Sequence, residues 1–329
     1  MARFEKALWL AATALVALQG CSDSTTDPTG TGATSSTSSG GASGGSSSSG
    51  GSSSAGGAPN CPKCEDTLTF SIPSDGSIDE TSGIAASKLH PGAFYVHNDS
   101  GDSARFFAID ETGADLGTFN VTGGVATDWE AVGRGPCPDP TKSCLFFGDV
   151  GDNSENRTDY TIVRVEEPSP LPNGGGHDIT GQTFHFKYPD GSHDCEALVV
   201  DPTTAQITLL TKSMSATRLY QLPATLDAAS TMTATYVGDA TVPDLMPLVT
   251  DASFSPLRSG ILVRTYINIH YYAVKADETV AQALAREPCS VPTPFETQGE
   301  AVTFLADNSG FRTLSEGANQ ALKGASCAF

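Results

Sequence analysis

Thr127-Asp128-Trp129-Glu130-Ala131-Val132-Gly133, a turn bracketed by Cys137 and Cys144, and then Leu145-Phe146-Phe147-Gly148-Asp149-Val150-Gly151-Asp152-Asn153 read as two strands. The first opens on carboxylates and the second closes on them. The same shape returns at Ser82-Gly83-Ile84-Ala85, Glu196-Ala197-Leu198-Val199, Asp251-Ala252-Ser253-Phe254 and Glu300-Ala301-Val302-Thr303, each followed by a second apolar run that ends in polar residues. Working outward, β-branched and aromatic runs bounded by Gly, Pro, Asn and Asp recur from residue 67 to residue 327, and they sort into groups of four. Only 278–286 has helical spacing. Self-similar units of four strands predict an all-β chain folded as a β-propeller, in which each group is one blade and its first strand lines a central channel.

Five blades are expected, with six as the alternative if the long second repeat hides one more around 154–193; its Asn173-Gly174-Gly175-Gly176 run favours a loop insertion. The last group supplies three strands, and Thr67–Ile72 stands alone before the first. Pairing these two ends closes the ring by an N-terminal strand and leaves no exposed edge.

Ahead of this domain lie two other zones. Residues 1–21 carry Arg3 and Lys6, an apolar run from Ala7 to Leu18, and Leu18-Gln19-Gly20-Cys21, the pattern of a secretory signal whose Cys21 becomes a lipidated N-terminus. The alternative is an ordinary signal peptide with an incidental cysteine. A membrane span is disfavoured, since the run is shorter than the roughly 20 apolar residues a bilayer needs. Residues 22–60 are almost wholly Ser, Gly, Thr, Ala and Pro, too polar to form a core, and read as a disordered stalk with an end-to-end distance of roughly 35 Å. These zones predict an exported lipoprotein of the bacterial cell envelope, placed at the outer membrane and touching the bilayer through its lipid anchor only.

Residues 61–329 hold 16 Lys plus Arg against 35 Asp plus Glu, a net charge of −19. That balance argues against nucleic acid and an anionic lipid headgroup as partners and favours cations. Seven cysteines beyond Cys21 fit an oxidising compartment. Cys137–Cys144 is the first expected disulfide, Cys289–Cys327 the second and Cys61–Cys64 a possible third, with Cys195 left over. Zinc at Cys61 and Cys64 is the alternative, but no second pair has the spacing for it.

Superposing the repeats puts Ser82, Glu130, Glu196, Asp251 and Glu300 at one position, and Glu80, Asp128, Asp194, Val249 and Gln298 two residues earlier on the same strand face. Carboxylates crowded round a channel axis cannot all ionise unless a cation sits among them. A site rich in carboxylate oxygens suits calcium, so Asp128, Glu130, Asp194, Glu196, Asp251 and Glu300 are candidate ligands, with acidic strand starts facing solvent as the plainer reading. From Ser82 to Asn98, Glu196 to Lys212 and Glu300 to Glu316 the offset is 16 each time. Lys212 and Arg264, with Arg157 and Arg164 as further options, bring positive charge to this rim, either as structural partners of the acids or as a clamp for an anion. His97 and His193 lie close enough in sequence to serve as bases, or are ordinary packed histidines. No zinc-protease helix motif, phosphate-cradling Gly-rich loop or nucleophile elbow is present; Gly41-Ala42-Ser43-Gly44-Gly45 fits the elbow only through low complexity.

Glu196-Ala197-Leu198-Val199-Val200-Asp201, Asp128-Trp129-Glu130, Gln298-Gly299-Glu300-Ala301 and Ser315-Glu316-Gly317 resemble the acidic strand-start motifs of bacterial phytase-like propellers. The resemblance covers residues 79–317 and implies a calcium-binding propeller. Members of that superfamily include calcium-dependent phytases, whose several Lys and Arg side chains face the substrate phosphates; here only Lys212, Arg264 and Arg157 offer themselves. Two functions are therefore carried forward: a surface module that binds calcium and a small-molecule, cationic or cation-bridged ligand at its acidic mouth, and a calcium-dependent phosphoester hydrolase with Lys212, Arg264 and His97 as candidate catalytic residues.

Overall fold

The computed structural model describes residues 61–329, so the signal segment, Cys21 and the stalk lie outside the described residues. The chain is all-β. In order, the strands are β1 (Lys63–Cys64), β2 (Leu68–Thr69), β3 (Thr81–Ala86), β4 (Ala93–Asn98), β5 (Arg105–Asp110), β6 (Asp115–Thr122), β7 (Trp129–Pro136), β8 (Ser143–Asp149), β9 (Tyr160–Glu166), β10 (Gly176–Lys187) and β11 (Cys195–Val200). They continue as β12 (Ile207–Thr211), β13 (Thr217–Gln221), β14 (Met232–Thr233), β15 (Thr235–Ala240), β16 (Val249–Phe254), β17 (Gly260–Thr265), β18 (Ile269–Ala273), β19 (Cys289–Val291), β20 (Gly299–Phe304), β21 (Gly310–Ser315) and β22 (Lys323–Ala328). One short helix, α1 (Val280–Leu284), starts on a Thr279–Gln282 capping box where the helical spacing was expected.

Each of the five repeated strand starts opens an antiparallel group: β3-β4-β5-β6, β7-β8-β9-β10, β11-β12-β13-β15, β16-β17-β18-β19 and β20-β21-β22. The first strands neighbour one another in turn, β3 beside β7, β7 beside β11, β11 beside β16, β16 beside β20, and β20 back beside β3. A cyclic row of first strands with sheets radiating from it is the propeller arrangement. The strands alternate little because both faces are covered. All of β3, β11, β17, β20 and β21 is buried, since each sheet packs between two others.

Two features depart from the sequence reading. The strands expected near 160–166 and 183–188 form as β9 and β10, but β10 begins already at Gly176, inside the expected loop insertion, and pairs with β9, with β6 of the preceding group and with β14. The outer edges of the first two groups are thereby zipped into one sheet. The disulfides also pair differently: Cys137–Cys144 forms as expected, but Cys61 joins Cys289 and Cys64 joins Cys327. The reason lies in ring closure. The N-terminal segment runs antiparallel to β22, with Lys63 opposite Ala328, Cys64 opposite Cys327 and Leu68 opposite Gly324, so Cys327 faces a cysteine of the first strand rather than Cys289. Cys195 stays a free, buried thiol that its apolar surroundings push up to about 12.

Candidate functional site

Every first strand carries a β-bulge at its start. The register slips between Thr81 and Gly83, Trp129 and Ala131, Cys195 and Ala197, Val249 and Asp251, and Gly299 and Ala301. The extra residues are Ser82, Glu130, Glu196, Thr250 and Glu300. A bulge frees one residue from the ladder and re-aims it, which is how side chains come to be gathered at one end of the ring.

This register corrects the rung expected from sequence. Thr250, not Asp251, is the fourth member, and Leu248 replaces Val249 two residues before it. Asp251 falls on the opposite face, fully buried in the wall, where its carboxyl accepts from the Val302 and Ala252 amides at 2.7 Å each. It is not a channel ligand. Ser82 and Thr250 close the ring by donating to the neighbouring strand, at Glu130 O (3.0 Å) and Gly299 O (2.8 Å). The offset of 16 held the clue, because it runs from Thr250 to Tyr266.

The remaining acids meet. Oxygens of Asp99, Asp128 and Glu130 all lie within 4.8 Å of one another. Ser82 Oγ donates to Glu130 Oε2 at 2.8 Å, and the Asp152 amide donates to Asp194 Oδ1 at 2.8 Å. Gly151 lies against this group so closely that a Cβ there would overlap Asp128 and Glu130. Burial, and then the charges of Glu196, Asp99 and Asp128, hold the Glu130 carboxyl far above the ordinary range. Burial with Asp99 and Asp194 raises Asp128 to about 7. Asp194 is raised by burial as well. Asp99 escaped the sequence reading as a ligand because its Asn98-Asp99-Ser100-Gly101 setting is that of a common turn.

Across the axis, Lys212 Nζ contacts Glu196 Oε1 and lies 5.1 Å from the Tyr266 ring centroid. Burial takes Glu196 up to about 8 against the pull of Lys212, and Glu300 is raised by burial and then by Glu196. Burial alone would lower Lys212; the Glu196, Tyr266 and Glu300 charges outweigh it and hold the ammonium above its ordinary range. Glu316 accepts from Gln298 Nε2 and is raised by burial and by Asp99. Below this level the axis narrows to a cavity of about 20 Å³, lined among others by Ala86, Arg134, Val200, Phe254 and Thr303, room for about one water.

Two candidates lie elsewhere. Arg264 is fully buried against Gly299, in an ion pair with Glu296 at 2.6 Å, and so cannot clamp an incoming anion. His97 is fully buried between Trp129 and Phe147, its ring centroid 5.8 Å from each, with burial lowering it to about 4. It packs the core. Arg157 is held by Asp149 at 3.0 Å and by Gly151 O at 2.7 Å. His193 pairs with Asp190 at 3.0 Å, and Arg164 turns outward to Gln182.

No family model matches the chain, and no curated protein matches its sequence. Among solved structures it is similar to a gluconolactonase from Xanthomonas campestris, at 12% identity, over 82% of this chain and 97% of that one, with a TM-score of 0.40. A likeness that distant says nothing of this chain's chemistry.

Proposed function

We propose that the chain is a five-bladed propeller whose mouth binds a divalent cation, calcium by the hardness of its ligands, and through it or beside it a small ligand. The observation that carries this is the convergence of Asp99, Asp128 and Glu130 within 4.8 Å, backed by a glycine that leaves them room. Burial and mutual repulsion raise the Asp128 and Glu130 carboxyls, and an ion of oxygen preference would take the place of their protons. Bound there, the metal supplies a fixed positive charge. The chain's own part is to hold Glu130 through Ser82 and to orient Asp128 against Gly151.

The hydrolase reading loses its anion clamp, since Arg264 is walled in and Lys212 is engaged by Glu196. Export, with a lipid anchor at Cys21 and presentation on a stalk, remains part of the proposal; the three disulfides support only the oxidising, exported environment. Calorimetric titration with calcium tests the centre: wild type should bind, and Asp128→Asn plus Glu130→Gln should bind at least tenfold more weakly. Equal affinity in the double variant would remove the site. Phosphate release from a panel of phosphoesters, absent with and without calcium, is the expected companion result.

A further inference from the structure

The mouth is apolar along one arc of its rim. Leu245 is 98% exposed, Phe295 90%, Met214 59%, Ile267 52% and Met246 45%, and all five sit on loops that lead into or out of the acidic level. These loops are tied side by side. Thr217 donates to Pro247 O at 3.5 Å, Asn268 Nδ2 to Asp244 Oδ1 at 2.8 Å, and the Ile269 amide to Thr293 Oγ1 at 2.9 Å. Lys212 against Tyr266 joins the arc to the acids inside it. The mouth loops of the first two groups present only Val125 as a large exposed apolar side chain among the described residues. Large exposed apolar side chains gathered on one rim mark an interaction site.

We infer that this arc and the acids beside it form a docking surface for an extended polypeptide segment carrying a Lys or Arg flanked by apolar side chains. Charge complementarity selects the occupant: the basic group enters the mouth beside Glu316, which accepts from Gln298 and has no ion pair among the described residues, and its neighbours lie on Leu245, Met246, Ile267 and Phe295. A net charge of −19 disfavours an anionic lipid surface, and a second copy would set one acidic mouth against another. The inference deepens the proposed binding role of the mouth and needs only its acids.

The test uses the full chain and fluorescein-labelled peptides followed by anisotropy, in chelator so that the metal proposal stands or falls separately. Leu-Leu-Lys-Leu-Leu is expected to bind at least tenfold more tightly than Leu-Leu-Glu-Leu-Leu and than Ser-Ser-Lys-Ser-Ser, and to weaken as salt rises. Leu245→Ser plus Phe295→Ser, both exposed and so without effect on melting, should cost at least tenfold in that affinity. Equal binding of the Glu and Lys peptides would overturn the inference. So would flotation with neutral phosphatidylcholine vesicles that the double variant loses, which makes the arc a membrane contact. Dimerisation of the wild type that the variant lacks would assign the arc to a second copy and overturn it too.

Discussion

The two halves of the mouth solve the same electrostatic problem in different ways. On the side of the first two strand groups, Asp99, Asp128 and Glu130 crowd together with no basic side chain at hydrogen-bonding distance from them among the described contacts, and Gly151 keeps the space beside them open. On the other side, Lys212 occupies the corresponding place among Glu196, Glu300 and Tyr266, and the rim above is apolar. One half awaits a counter-ion; the other has it built in. A covalently attached ammonium costs no translational entropy and is always present, but it blocks the oxygens it neutralises. A mobile cation leaves the site responsive to its concentration.

The largest expected effect comes from supplying that cation. At a calcium concentration a thousandfold above Kd the native state gains about 4 kcal/mol, or a melting temperature roughly 10 °C higher, than in chelator. Superimposable melting curves would mean that the two halves do not differ in this way. Next is Lys212→Met, which strips the built-in counter-ion and leaves Glu196 and Glu300 facing each other. Loss of one partner of a buried pair costs about 3 kcal/mol, measured by denaturant titration at pH 8. The sign of its pH dependence follows from the raised carboxyls. Glu196 has a folded value of about 8 against an ordinary 4.5, so the folded state holds the proton more tightly, and stability falls as pH rises from about 4.5 to 8. Wild type in chelator should share the slope through Asp128, raised from 3.8 to about 7, and calcium should flatten it. A flat chelator profile between pH 5 and 8 would contradict the crowding. The smallest effect is Gly151→Ala, whose methyl displaces the Asp128 and Glu130 carboxyls: calcium affinity should drop about tenfold, worth about 1.4 kcal/mol, with peptide binding on the opposite arc unchanged. If both fall together, the halves are one site.

Much of this was legible in the chain. The repeat of short β-branched runs gave strand positions such as Ser143–Asp149 and Gly310–Ser315 to within a residue or two, because burial on both faces demands unbroken apolar runs. Glu130, Glu196 and Glu300 stood out as a rung because a bulge recurring at one register repeats in sequence as well. Cys137–Cys144 followed from a short turn.

Other features are invisible to local pattern. In a strand, a shift of one residue exchanges the two faces, and Thr250-Asp251 presents a polar residue at either register. Only the pairing of Val249 with Thr265 and Asp251 with Arg264 decides that the bulge falls on Thr250, which sends Asp251 into the wall. Arg264, the ladder partner of Asp251, goes into the wall with it. The cysteine partners depended on where the N-terminal strand lies along β22, and the cluster of Asp99 with Asp128 and Glu130 on two strand groups meeting at one end of the ring. Sequence therefore determined which residues are strands and which strand ends are acidic, since propensity and burial act residue by residue. Register, closure and the distance between carboxylates were decided by tertiary structure, since each depends on chains far apart in sequence settling into one packing.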